Sequence, residues 1–168
     1  YVPMPYNAHY DIKEQGIVAD YVVMMGYDEH HSGSNVAGSV ASMSFVRQGI
    51  EDMLSMIPKE KVINAIPLFT RVWATDSNGN VESFNAGMTE ARGYLDAKGI
   101  VPVYDEASGQ NYAEYKKNGI TYKIWMEDVD SLHERMKVIA GADVAGVAAW
   151  RLGYETEEIW PIIDAYMN

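Results

Sequence analysis

Cysteine is absent from the 168 residues, so neither a disulfide framework nor a thiolate metal site can form. Positive charge is scarce: 13 Lys and Arg stand against 24 Asp and Glu, a formal net charge of −11. Phosphate binding depends on clustered cations, and none cluster along the chain, so nucleic acid is excluded as a partner. The acidity reads as a solubility device. No apolar run approaches the roughly 18 residues needed to span a bilayer. Internal repeats and low-complexity tracts are also missing. Four histidines are too few and too scattered for a metal site: Glu29, His30 and His31 adjoin, but His9 and His133 lie far off. Zinc needs three or four convergent ligands, so no metal and no cofactor is expected.

Three short apolar runs are present instead. Val22-Val23-Met24-Met25 stops at Gly26 and releases Tyr27 and Asp28. Val62-Ile63-Asn64-Ala65-Ile66-Pro67-Leu68-Phe69 leads into Thr70-Arg71-Val72-Trp73. Ala145-Gly146-Val147-Ala148-Ala149 leads into Trp150-Arg151-Leu152-Gly153. Runs this short without a polar face read as strands buried on both sides, as in a parallel sheet. In α/β folds the chemistry sits where such strands end. Tyr27, Asp28, Arg71 and Trp150 are therefore candidate site residues, with Met25 just inside the first strand's end.

Helical patterns separate the runs. A short helix is expected near 12–15, stopped by Gly16. Residues 39–56 carry apolar positions close to a 3.6-residue period and end at Pro58. Residues 130–140 form another helix, with Ser131 as N-cap and Glu134 three residues on. Glu127, Asp128 and Asp130 read as ordinary acidic placement at its start. A last strand at 144–150 and a helix at 156–167 close the chain.

Residues 73–128 differ in character. Asn78-Gly79 and Asn118-Gly119 are hairpin-turn signals. A helix over about 87–98 ends at Lys98-Gly99, with short strands expected at 100–104, 111–116 and 120–126. The reading is an α/β fold with a partial (β/α) barrel at 1–72 and 129–168, and an α+β insertion at 73–128. A complete eight-stranded barrel needs about 250 residues. Residues 1–6 read as the tail of a strand, without initiator Met or signal-like segment, so the chain is expected to be a piece of a larger protein.

At these residues the chain resembles the C-terminal part of a glycoside hydrolase family 18 barrel, about strands six to eight. Met25-Gly26-Tyr27-Asp28 matches the family's Met-x-Tyr-Asp motif on the sixth strand. Ile66-Pro67-Leu68-Phe69-Thr70-Arg71 is similar to the end of the seventh, and Ala149-Trp150-Arg151-Leu152-Gly153 to the eighth. Tyr-Asp-Glu-His at 27–30, Gly-Gln-Asn-Tyr-Ala-Glu-Tyr at 109–115 and Trp-Arg-Leu-Gly at 150–153 resemble the bacterial spore-cortex and cell-wall branch.

The resemblance implies an enzyme that cleaves β-linked N-acetylglucosamine glycans, peptidoglycan or chitin-like, by substrate-assisted retention. It places Tyr27 and Asp28 in the role of holding the acetamido group. Trp150 becomes a stacking platform for a pyranose ring, and Met25 lines the acetamido pocket. Arg71 bonds a sugar hydroxyl or pairs with an acid; the residues leave both open. It also implies an extracellular, cell-envelope or spore-associated protein.

One part of the family's equipment is absent. The general acid ends an Asp-x-x-Asp-x-Asp-x-Glu motif, and Asp128-Val129-Asp130 is followed by Ser131-Leu132 instead. The chain alone is therefore expected to be inactive. Two function classes stay open: a fragment of a glycosidase, or a non-catalytic carbohydrate-binding barrel module. Open sheet edges make self-association a further expectation.

Overall fold

A computed structural model describes residues 2–3 and 10–167 of the chain. His9 and most of the amino-terminal stretch read as a strand tail fall outside the described residues.

Four strands make the first sheet, in the order β1 (Val2–Pro3), β2 (Val22–Met25), β3 (Val62–Pro67) and β9 (Gly146–Trp150). All are parallel, with Met25 opposite Ala65 and Pro67 opposite Trp150. The strands of a second sheet lie in sequence between β3 and β9. Side chains alternate between faces. Val22, Met24, Val62 and Ile66 point to one face and are buried. Helix α2 (Met43–Leu54) packs on β2 and β3. Helices α4 (Val129–Gly141) and α5 (Ile159–Met167) pack on each other. Val46, Ile50, Met53, Leu132, Met136, Ile139, Ile159 and Ile162 complete this core. Each such side chain contributes about 1.5–3 kcal/mol on burial.

Helix α1 (Ile12–Val18) differs from the expectation that Gly16 stops it. The helix runs through Gly16 because a Cβ there would lie 2.2 Å from Ile57 Cγ2; glycine serves close packing, not termination. The end is capped by a cation: Lys61 Nζ donates to Gly16 O at 2.7 Å and Ala19 O at 3.0 Å.

The second sheet is antiparallel, in the order β5 (Val81–Gly87), β4 (Phe69–Thr75), β8 (Ile120–Trp125), β7 (Gln110–Lys117), β6 (Val103–Asp105). Asn118 and Gly119 take φ of 52° and 79° and close the β7–β8 hairpin, as a two-residue loop of that hand requires. Helix α3 (Met88–Asp96) covers one face, burying Ala91 and Leu95 against Val72, Ala113 and Ile124. This sheet begins at Phe69, four residues before the boundary read at 73. Arg71 therefore does not end β3. The chain turns at Leu68, whose N–H donates to Trp150 O at 2.7 Å, and Arg71 sits inside β4.

The start of α4 also differs. Asp128, not Ser131, is the N-cap: its Oδ1 accepts from Ser131 N at 3.0 Å, and Ser131 Oγ accepts from Asp128 N at 3.0 Å. Glu127 is not a solvated first-turn acid. It is buried and ion-paired with Arg135, eight residues on. Among the described residues no helix is long and apolar enough to cross a membrane.

Candidate active site

Glycine at 26 is dictated by the sheet. A Cβ there would meet Asn64 Oδ1 at 2.7 Å and Ala65 O at 2.9 Å, while Gly26 N donates to Ala65 O at 3.0 Å. That close approach delivers Tyr27 and Asp28 at the C-terminal edge of β2. Tyr27 is buried, and its ring meets Phe69 edge-on, centroids 6.1 Å apart at 77°. Asp28 has φ of 64°, a left-handed conformation that Asp tolerates better than most residues. Its carboxylate is 45% exposed and faces the Arg71 guanidinium at 3.5 Å.

Arg71 is only 7% exposed at its side chain. Its guanidinium lies 5.9 Å from the Phe69 ring and 5.7 Å from Trp73, and Nη1 donates to Ser83 Oγ at 3.3 Å. Nε is buried with no partner. Burial pushes the guanidinium below its ordinary value, and Asp28 opposes that shift. Arginine stays charged through such shifts. The result is a buried cation, loosely satisfied, beside an exposed carboxylate. Of the two roles left open for Arg71, the contact seen is the one with an acid.

Met25 and Trp150 share the face of the first sheet opposite α2. They lie on β2 and β9 with β3 between them. The rows joining them carry Ala65, Pro67 and Ala148, a floor of small side chains. Trp150 is 53% exposed above it, and the Trp150–Arg151 peptide is cis. Arg151 stacks over Tyr154 at 4.3 Å and donates to its hydroxyl at 2.9 Å. The structure thus brings Asp28 onto Arg71 and Tyr27 onto β4 through Phe69. Met25 and Trp150 share a sheet face with β3 between them, and Tyr27 and Asp28 follow Met25 at the same sheet edge.

Glu29, His30 and His31 take structural positions. Glu29 accepts from Ser42 N at 2.8 Å and Ser42 Oγ at 3.0 Å, at the start of α2. His30 Nδ1 lies 2.9 Å from Ser39 O. His31 N donates to Ser34 Oγ at 3.0 Å.

Sequence reasoning missed the joint that holds the 28–42 loop. Glu127 accepts two bonds from Arg135, at 2.7 and 2.9 Å, and Arg135 also donates to Ala41 O at 2.8 Å. Gln110 Nε2 donates to Glu127 Oε1 at 2.8 Å, while Ser39 Oγ donates to Gln110 Oε1. Burial pushes the Glu127 carboxyl up, and the Arg135 guanidinium pulls against it. Trp73 Nε1 donates to Gly38 O at 2.8 Å and pins the loop to β4. One signal was available: Phe69, Arg71 and Trp73 alternate with period two, as on one face of a strand.

These features define an α/β protein with a parallel sheet, a second, antiparallel sheet, and a candidate site at the C-terminal edge of the first. The chain belongs to the Glycosyl hydrolases family 18, whose family model matches residues 1–155. It is 25% identical to the cortical fragment-lytic enzyme of Bacillus subtilis, over 97% of this chain and 38% of that enzyme. In fold it is similar to a chitinase of Chromobacterium violaceum, with a TM-score of 0.87 at 21% identity, over 99% of this chain and 54% of the chitinase. The spore cortex-lytic enzyme SleL of Bacillus megaterium gives a TM-score of 0.82 at 24% identity, over 95% and 36%. The chain spans less than half the length of the curated relatives it matches.

Proposed function

We propose that this chain supplies the acetamido-holding side of an enzyme that cleaves β-linked N-acetylglucosamine glycans by substrate-assisted retention. The observation that carries the reading is the placement of Met25 and Trp150 over a floor of small residues, with Tyr27 and Asp28 following Met25 at the same sheet edge. In this reading the four parallel strands belong to the C-terminal part of a (β/α)8 barrel. Residues 73–128 are an inserted lobe that forms a wall of the sugar groove. The names of the cortical fragment-lytic and spore cortex-lytic relatives favour peptidoglycan as the glycan and the spore or cell envelope as the place.

Each residue then has a part. Trp150 stacks against the sugar ring, as a broad exposed aromatic can. Met25 lines the acetamido pocket. Tyr27 and Asp28 hold the acetamido group so that its oxygen attacks the anomeric carbon. The glycosidic bond breaks with its electron pair leaving on the aglycone oxygen. Positive charge spreads into the resulting ring, and the Asp28 side chain, held towards Arg71, faces it. The leaving oxygen must take a proton from a carboxylic acid. The family motif that ends in that acid does not occur in these residues.

Two measurements test this. An aryl chitobioside should not be turned over above the buffer rate by the chain alone. N-Acetylglucosamine oligomers should shift the amide resonances of Met25, Tyr27 and Trp150. Turnover by contaminant-free chain would defeat the assignment of the proton donor, and unshifted resonances would defeat the site.

A further inference from the structure

The chain that leaves β9 is anchored twice. Trp150 O accepts from Leu68 N at 2.7 Å at the join between the sheets, and Tyr154 O accepts from Met88 N at 2.7 Å at the start of α3. Between the anchors the backbone turns: Tyr154 N donates to Arg151 O at 3.2 Å, and Gly153 takes φ of 90°. The side chains close the same turn. The Arg151 guanidinium lies 4.3 Å over the Tyr154 ring, and its Nη2 donates to Tyr154 Oη at 2.9 Å. Trp150 itself is half exposed, so close packing reaches only part of the indole. Its plane is set largely by the backbone that carries it.

Gly87 is the seat of the second anchor. A Cβ there would lie 3.1 Å from Tyr154 O, 3.2 Å from its Cα and 3.3 Å from its Cδ1. Gly87 has φ of −63° and ψ of 169°, which any residue adopts, so the glycine answers to this contact and not to the backbone. Gly87 stands opposite Phe69 in the β4–β5 ladder, and the Phe69 ring meets Tyr27 edge-on. One short path of contacts thus joins the two ends of the candidate site. It runs from Trp150 through the 151–154 turn to Gly87, across to Phe69, and on to Tyr27. Groups that orient one substrate must keep their spacing, since a displacement of about 1 Å can cost on the order of a hundredfold.

We propose that Tyr154 is a positioning residue: seated on Gly87 and held by Arg151, it fixes the height and plane of the Trp150 indole relative to Tyr27. It acts on sugar binding through Trp150 and takes no part in bond breaking. The inference rests on the glycan-cleaving reading above and deepens it, by naming what keeps the stacking platform in register with the acetamido-holding residues. Ring and hydroxyl have separate tasks. The Tyr154 ring fills the space that glycine leaves, and its hydroxyl ties down Arg151, the residue next to Trp150.

Two variants of the isotope-labelled chain test it, each titrated with an N-acetylglucosamine trimer beside the wild type. Tyr154→Phe keeps the ring and loses the bond to Arg151. Gly87→Ala keeps every side chain named in the site and presses on Tyr154. In both, the Trp150 indole N–H resonance should move before any sugar is added. The trimer should then bind about threefold more weakly, the scale of one net hydrogen bond. The urea midpoint of Tyr154→Phe should stay near that of the wild type. In the longer enzyme KM should rise by a similar factor, with little change in kcat. Affinity equal to wild type in either variant overturns the positioning role. So does weaker binding with an unmoved indole resonance, which would make Tyr154 a direct sugar contact. Both results leave the glycan reading intact, because the wild type still binds. If Gly87→Ala does not fold, Tyr154→Phe decides alone. Wild-type resonances unmoved by the trimer overturn the glycan reading and this inference with it.

Discussion

Glu127 and Arg135 form a bidentate ion pair with side chains 2% and 1% exposed, at the joint between the two sheets. Such a pair contributes little net stability relative to apolar packing, but breaking it strands a buried charge. Its partners give it direction. Gln110 and Ser39 lead from Glu127 to the 28–42 loop, and Arg135 reaches Ala41 O in the same loop. Glu127→Ala should therefore destabilise the chain by about 3–5 kcal/mol. Urea unfolding followed by tryptophan fluorescence reads this directly. A cycle with Arg135→Met should give a coupling above about 1 kcal/mol; additive losses would mean the two residues act separately.

Tyr27→Phe in the longer enzyme removes one hydroxyl and almost no volume, so the Phe69 contact and the fold should survive. A group aimed at charge that develops on the acetamido acts mainly in the transition state. Its loss should lower kcat on the order of a hundredfold with little change in KM. Steady-state kinetics on an aryl chitobioside decide the matter. A kcat within about twofold of wild type, well under 1 kcal/mol, would remove Tyr27 from the mechanism.

Trp150→Ala should do the reverse. The indole is half exposed above Ala65, Pro67 and Ala148, so its loss costs little packing and leaves the sugar face without its platform. KM should rise several-fold, with a smaller change in kcat. Equal loss in kcat and kcat/KM, with KM unmoved, would assign Trp150 to the transition state instead.

Asp76 offers a test of the second sheet by pH. Its carboxylate accepts from the Asn80 side chain at 2.8 Å, from Asn80 N at 2.9 Å and from Asn78 N at 2.8 Å, closing the β4–β5 turn. The Asn80 side chain above all holds it below the ordinary Asp range. A lowered folded pKa stabilises the turn above the unfolded pKa, and that stability is lost as pH falls through the folded pKa. Carboxyl resonances followed through an acid titration should show Asp76 depressed, and Asn80→Ala should move it back up. An Asp76 that titrates alike in both proteins would show that the Asn80 amide does not set it.

Parts of this structure were legible before any coordinates. The strands β2, β3 and β9 announce themselves because each is apolar on both faces and ends abruptly. The position of Gly26, Tyr27 and Asp28 just past the end of β2 was readable for the same reason. The strand that carries Arg71 was not. Ile66 to Trp73 is nearly one apolar run, and the turn between sheets uses only Leu68, with no Gly or Asn to mark it. Glu127 looked like its neighbours Asp128 and Asp130, since nothing local says that Arg135 folds back onto it. Gly16 looked like a helix stop because the reason for it, Ile57, lies 41 residues away.

The single-residue join at Leu68 sets the mechanics of the groove. Its amide is tied to the carbonyl of Trp150, so the antiparallel sheet and the end of β9 share one fixed point. A hinge needs several residues to absorb a change of angle, and here there is one, clamped between two hydrogen-bonded ladders. Swinging the wall outward would tear β4 from its sheet or pull on the backbone beneath the indole. In the proposed reading, the width of the groove is therefore a built-in dimension, and ligand choice comes from the side chains that project into it instead of from a jaw that closes.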